Sequence, residues 1–334
     1  GYVFAGWSTI SGNGNPVVYA DRATVTFFGN TTIYTQWNPV YTISYNANSG
    51  TGTVPASANS LNGETVTVAS NSGNLTKSGL TFSGWNTKAD GTGKTYLAGS
   101  SLAPTANTTL FAMYLAACNP TRTTAGGYVV LTFTGVGNCL WVVPSTVSSI
   151  DLLIVGGGGG GGSSLGGGGG GGQVISQTGV TSIGTAIISV AAGGSGGSGS
   201  YTAVQNHGKT GGQSGFITPT VSSIAIGGSG GNGRMSASNL NPDGSAISTG
   251  YAGGGGAYQN APAHIAIPGV CGNACIGGTG SNYGGGGGGG AGGIGIGSVA
   301  AANASAGGPG LSNSISGSAI YYGGGGGAGK YSGT

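Results

Sequence analysis

The sequence predicts a mainly β chain in two unlike parts. A small repeated β unit comes first, and a longer glycine-rich part follows, whose glycine runs pack as bundled polyglycine II helices. Three observations predict this. Of 81 glycines, 15 lie in residues 1–126 and 66 in the remaining 208, with unbroken runs at 156–162, 166–172, 253–256, 284–290 and 323–327. Apolar, β-branched segments punctuate the runs at 129–133, 150–155, 174–175, 186–190 and 224–226, a spacing foreign to flexible linkers. The first third of the chain also repeats itself with a period of 77 to 78 residues.

The repeat is read directly from the residues. Gly1-Tyr2-Val3-Phe4-Ala5-Gly6-Trp7-Ser8-Thr9 matches Gly79-Leu80-Thr81-Phe82-Ser83-Gly84-Trp85-Asn86-Thr87, and Gly29-Asn30-Thr31-Thr32-Ile33-Tyr34 matches Ala106-Asn107-Thr108-Thr109-Leu110-Phe111. Within a unit, Tyr41-Thr42-Ile43-Ser44-Tyr45 and Thr65-Val66-Thr67-Val68 alternate as half-buried strands. Asn62-Gly63 and Asp90-Gly91 mark tight turns. Phe82 and Trp85 are the expected centre of a very small core.

On these residues the chain resembles the internalin-type B repeat of bacterial surface proteins, the Listeria–Bacteroides repeat family. The resemblance rests on Tyr41 to Asn48, on Phe82-Ser83-Gly84-Trp85-Asn86-Thr87 with Asp90-Gly91-Thr92-Gly93, and on Asn107-Thr108-Thr109-Leu110-Phe111-Ala112. It implies a β-grasp-like fold used as a spacer on cell surfaces. Tyr114 stands where the family usually has Trp, and where the first copy has Trp37. Residues 1–38 look like the second half of such a unit and residues 39–117 like a complete one. A half unit that keeps Phe4, Trp7, Tyr34 and Trp37 is expected to expose apolar surface and strand edges, and so to invite association with another copy; the alternative is that residues upstream of Gly1 complete it.

Residues 118–334 form the glycine-rich part. Tyr128-Val129-Val130-Leu131-Thr132-Phe133, Trp141-Val142-Val143-Pro144 and Ile150-Asp151-Leu152-Leu153-Ile154-Val155 lead straight into the first run. This is similar to the glycine-rich domain of bacterial surface and phage tail proteins, which implies a β-sandwich carrying glycine-rich excursions. Physics supports ordered runs. A polyglycine II helix rises about 3.1 Å per residue with three residues per turn, so seven glycines span roughly 22 Å. It has no internal hydrogen bonds, so burial requires lateral partners for its N–H and C=O groups. Only glycine lets neighbours close in on every side, where Cα–H···O contacts add to the N–H···O bonds. Collagen is excluded, because the runs lack a strict three-residue period and only six prolines follow residue 126.

Charge narrows the function. The chain has 8 Lys and Arg and 5 Asp and Glu, a net +3, and residues 244–329 carry none. With no basic stripe, nucleic-acid binding is not expected, and weak charge repulsion favours self-association. No run of 18 apolar residues exists, so no membrane span is expected.

Catalytic motifs are illusory here. Gly193-Gly194-Ser195-Gly196-Gly197 and Gly227-Gly228-Ser229-Gly230-Gly231 fit a nucleophile-elbow pattern by glycine content alone. Gly93-Lys94-Thr95 and Gly208-Lys209-Thr210 lack the upstream glycine of a phosphate loop. His264, Cys271 and Cys275 do not have zinc-module spacing, and His207 reads as an exposed loop residue. No enzyme, cofactor or metal is expected.

An even count of four cysteines suits an oxidising compartment. Cys118 and Cys139 flank the change in composition and are expected to bridge the domain junction, with Cys271 and Cys275 paired locally. Tyr201, Tyr251, Tyr258, Tyr283, Tyr321, Tyr322 and Tyr331 sit beside glycine runs, as candidate contact residues for a neighbouring subunit or a sugar. The resulting expectation is an extracellular structural subunit of a surface appendage or sheath, joined head to tail to copies of itself. The alternatives are a receptor- or glycan-binding adhesin and, third, an ice-binding protein.

Overall fold

The computed structural model describes residues 1–181, 184–198, 207–233, 252–256, 277–279, 284–298 and 305–329, and every regular element among them is a β-strand. The mainly β class is therefore what the chain adopts. It divides into two compact units, Gly1–Ala116 and Ala117–Thr334.

The first unit holds β1 (Tyr2–Ser8), β2 (Tyr34–Asn46), β3 (Ala58–Leu61), β4 (Val66–Thr67), β5 (Thr76–Lys77), β6 (Leu80–Asn86), β7 (Thr95–Tyr96), β8 (Ser101–Leu102) and β9 (Thr108–Leu115). The main sheet runs β1-β2-β9-β6-β5, with β2 and β9 parallel and the other neighbours antiparallel. The 13-residue β2 closes the half repeat with its first residues and opens the complete repeat with its last, so both share one sheet.

The sequence repeat is reproduced in register. Phe4 faces Trp37 and Trp7 faces Thr35, as Phe82 faces Tyr114 and Trp85 faces Ala112. Each pairing slips at the same place, between Phe4 and Gly6 and between Phe82 and Gly84. The glycines there have φ of 138° and 140°, and a Cβ at Gly84 would come within 2.9 Å of the Tyr96 carbonyl. A bulge with that backbone and that close approach needs glycine, which is why Phe-x-Gly-Trp recurs.

The core belongs to the complete repeat. Ile43, Tyr45, Val68, Leu75, Trp85, Leu102, Leu110 and Ala112 form it. Trp85 is 0% exposed, packs 4.6 Å from the Tyr45 ring, and donates its indole N–H to the Ala69 carbonyl at 2.9 Å.

The second unit begins with a hairpin of β10 (Thr121–Ala125) and β11 (Tyr128–Thr132), turned at Gly126-Gly127. It continues with β12 (Gly137–Val142), β13 (Ile150–Val155), β14 (Val174–Val180), β15 (Thr185–Val190), β16 (Ser214–Ile217) and β17 (Ser222–Ala225). A four-stranded antiparallel sheet, β12-β15-β16-β17, and the hairpin β13-β14 bury Ile154, Ala186, Ile188, Phe216 and Ala225 between them. A last hairpin joins β18 (Leu311–Asn313) and β19 (Ile320–Tyr322). The glycine runs leave this framework at strand ends: β13 passes into 156–162, and 166–172 passes into β14.

Candidate functional site

The glycine runs form a hydrogen-bonded lattice. Its rods cover 156–162, 166–172, 192–197, 207–212, 226–232, 252–256, 277–279, 284–290, 293–298, 305–310 and 323–329 among the described residues. The bonding period proves the helix type. Gly167 and Gly170 donate to Asn232 and Ser229, Gly168 and Gly171 donate to Gly286 and Gly289, and Gly166 and Gly169 accept from Gly329 and Gly326. Residues three apart thus face the same neighbour, as three residues per turn require.

Rod 284–290 is fully enclosed. Gly286 and Gly289 donate to rod 252–256 and accept from 166–172; Gly287 donates to Ile296 and accepts from Gly278; Gly288 donates to Gly326 and accepts from Gly308. One turn of three residues, each with one donor and one acceptor, therefore meets six neighbours, which is hexagonal packing. These bonds are 2.7–3.0 Å long. A Cβ at Gly287 would land on the Ala306 carbonyl, and one at Gly286 on that of Gly278. Apart from Gly290 and Gly293, which bond each other both ways, the described bonds across each neighbouring pair run one way. Rod 156–162 donates to 166–172 through Gly159 and Gly162, and to the adjoining Gln173 through Gly156, and no described bond returns.

The lattice is larger than the unbroken runs indicated. Mixed segments such as Ala192-Gly193-Gly194-Ser195-Gly196-Gly197 are rods as well. The signal in that segment is a local x-Gly-Gly triplet, which leaves two of three faces bare.

Two expected placements are corrected. His207 is not an exposed loop residue: it is 5% exposed, lies at the head of rod 207–212, and accepts a bond from the Gly233 N–H on Nδ1 at 3.3 Å. Rod packing buries it, which a reading of local polarity could not foresee. Cys118 and Cys139 are joined, but both lie inside the second unit. Beside the bridge Cys118 donates to the Leu140 carbonyl, so the bond ties the entering chain to β12 rather than clamping a junction.

Tyr321 and Tyr322 lie on β19, Tyr321 71% exposed and Tyr322 partly buried. Cys271, Cys275, His264, Tyr201, Tyr251, Tyr258, Tyr283 and Tyr331 lie outside the described residues.

The half repeat presents a second surface. Phe4 packs edge-on against Trp7 and Trp37, at 5.3 and 5.4 Å, as Phe82 does against Trp85 and Tyr114. Yet Trp7 is only half-buried where Trp85 is sealed, and Phe28 is 97% exposed, with Tyr2, Val3, Val17, Val18 and Trp37 also open. Trp85 packs against the Tyr45 ring and shares its core with Val68 and Leu75. A groove lined by Trp7, Tyr19, Phe27 and Ile33 remains.

Two family models match the chain. The Glycine-rich domain matches residues 132–334, more than half of its length. The Listeria-Bacteroides repeat domain matches residues 41–113. Together these domains suggest a surface or structural protein, and the repeat is compatible with an extracellular one. Comparison with curated proteins and with solved structures gives no match. No helix among the described residues is long and apolar enough to cross a membrane.

Proposed function

The chain belongs to the glycine-rich domain family and carries a Listeria-Bacteroides repeat domain ahead of that region, and from this premise we propose that it is an extracellular structural subunit of a bacterial surface appendage or sheath. The observation that carries the proposal is the enclosed rod 284–290, bonded to six neighbours. A body built of cross-bonded backbone resists deformation and offers mechanical support rather than chemistry. In this reading the protein is not an enzyme. It assembles head to tail with copies of itself. The two patches of such a contact differ, and where it does not close into a ring it builds a filament. The low charge of the chain removes the repulsion that would oppose it.

A second reading, an adhesin that binds a glycan or protein, is favoured by one observation, the exposed Tyr321 ring on β19. Electron microscopy of the purified 334-residue chain at micromolar concentration separates the two. Filaments support the structural reading. Monodisperse monomers that bind immobilised glycans support adhesion and overturn filament formation.

A further inference from the structure

Rod 192–197 has three rows of residues. A Cβ on Gly194 would collide with the Lys209 carbonyl of the adjoining rod, so packing demands glycine there. Ala192 and Ser195 form an exposed row that carries side chains. The third row, Gly193 and Gly196, is exposed and has room: the nearest atoms to a Cβ would be the carbonyls of Gly158 and Gly161, at 3.4 and 3.6 Å, an ordinary contact distance. The isolated protein gives no packing reason for glycine at these two positions.

The same two carbonyls identify the other wall. Gly158 and Gly161, on rod 156–162, accept bonds from Gly194 and Gly197, but their own N–H groups meet no acceptor among the described residues. Both glycines are exposed. A shallow groove therefore runs between the rods, with bare glycine on one wall and two N–H donors, one helical turn apart, on the other. Neither rod contains a charged residue.

We propose that this groove is a lateral docking site for a glycine-bearing rod of a second copy of the chain. A partner with side chains would be held off the donors, whereas a bare rod can approach as closely as the rods inside the lattice do. The carbonyls of Gly158 and Gly161 are already taken by Gly194 and Gly197, so this row has only N–H groups to offer and cannot pair with the same row of another molecule. The incoming rod must present carbonyls from a different edge. The contact is heterologous, and it sets filaments side by side into bundles or sheets. This rests on the structural-subunit reading.

The test is the full chain with Gly193→Ala and Gly196→Ala together, studied by sedimentation and electron microscopy. The side chains fit the free protein, so the melting temperature is expected to stay within a few degrees of the parent while lateral association weakens at least tenfold. Thin filaments from the variant and bundles from the parent support the proposal. Equal bundling overturns it, and so does a parent that forms only single filaments, although the head-to-tail reading then survives. A parent that makes no filaments but forms dimers sensitive to these two substitutions supports lateral docking and sinks the filament. Amide exchange on the unsubstituted protein needs no variant. The Gly158 and Gly161 amides are expected to slow at least tenfold as concentration rises, and exchange independent of concentration contradicts the site.

Discussion

At Tyr114 the sequence departs from the usual tryptophan, and the structure shows what the phenol adds: its hydroxyl donates to the Ala47 carbonyl at 2.8 Å, over the bare backbone of Gly50. Tyr114→Phe should cost about 1 kcal/mol, the net worth of one such bond. Burial pushes the Tyr114 pKa up, so the folded state prefers the protonated phenol. Its stabilisation is complete below the ordinary tyrosine value of about 10 and is lost as pH rises through the raised one. The stability gap between the parent and Tyr114→Phe, followed by denaturant unfolding, should close across that alkaline window; a constant gap would refute the assignment. The glycines allow a sharper contrast. Gly287→Val inside the lattice should destabilise by about 3 kcal/mol or more, because its Cβ falls on a carbonyl. Gly161→Ala, with 3.7 Å of clearance, should stay within about 0.5 kcal/mol in dilute protein. Equal effects in thermal melts would mean that the rods are not packed as described.

Among the elements, the two copies of Phe-x-Gly-Trp form a natural control. They share register, bulge and ring geometry but differ in what lies over the tryptophan. Trp85→Ala should cost about 3–5 kcal/mol, the price of emptying a sealed core site. Trp7→Ala should cost under about 2 kcal/mol in dilute solution. A larger loss at Trp7 than at Trp85 would show that the half-buried tryptophan is the better packed of the two. The bridge between Cys118 and Cys139, 21 residues apart, closes a loop worth about 3 kcal/mol in the chain-entropy model. Replacing both with serine should lower the melting temperature of the second unit and leave the first unit's unchanged, as calorimetry can resolve.

Legibility in the sequence followed the kind of signal. Strand β13 stood out because its apolar residues end abruptly at Gly156, and β15 because its apolar, β-branched residues lie between Gly184 and Ala191-Ala192-Gly193. The repeat was readable because its bulge glycine has no substitute. Strand β10 was not foreseen because Thr121-Arg122-Thr123-Thr124 carries little apolar content, and β18 and β19, three residues each, are too short to show a period. The rods outside the pure runs were missed for a related reason: glycine, serine and alanine in mixed order look like linker until their partners are known. The burial of His207, and the N–H groups of Gly158 and Gly161 that meet no acceptor among the described residues, depend on which rods lie side by side, and that is set by long-range connectivity rather than by local spacing.

The whole molecule joins two different solutions to the shortage of charge. The repeat unit folds around one sealed tryptophan, and the glycine-rich unit dispenses with side chains and satisfies backbone with backbone. Ordering glycine costs about 1–2 kcal/mol per residue, more than one net hydrogen bond returns, so the lattice depends on Cα–H···O contacts and on the strands that hold the rods in place. Disorder in the rods would remove the basis of both the structural role and the lateral contact. Residue-resolved amide exchange on the dilute protein tests this most directly. Gly167, Gly168, Gly170 and Gly171, with Gly286 to Gly289, are predicted to be strongly protected, while Gly158 and Gly161 exchange fast, three residues apart on an open edge. Random-coil exchange throughout 156–172 and 284–290 would contradict the lattice and return these segments to flexible linker.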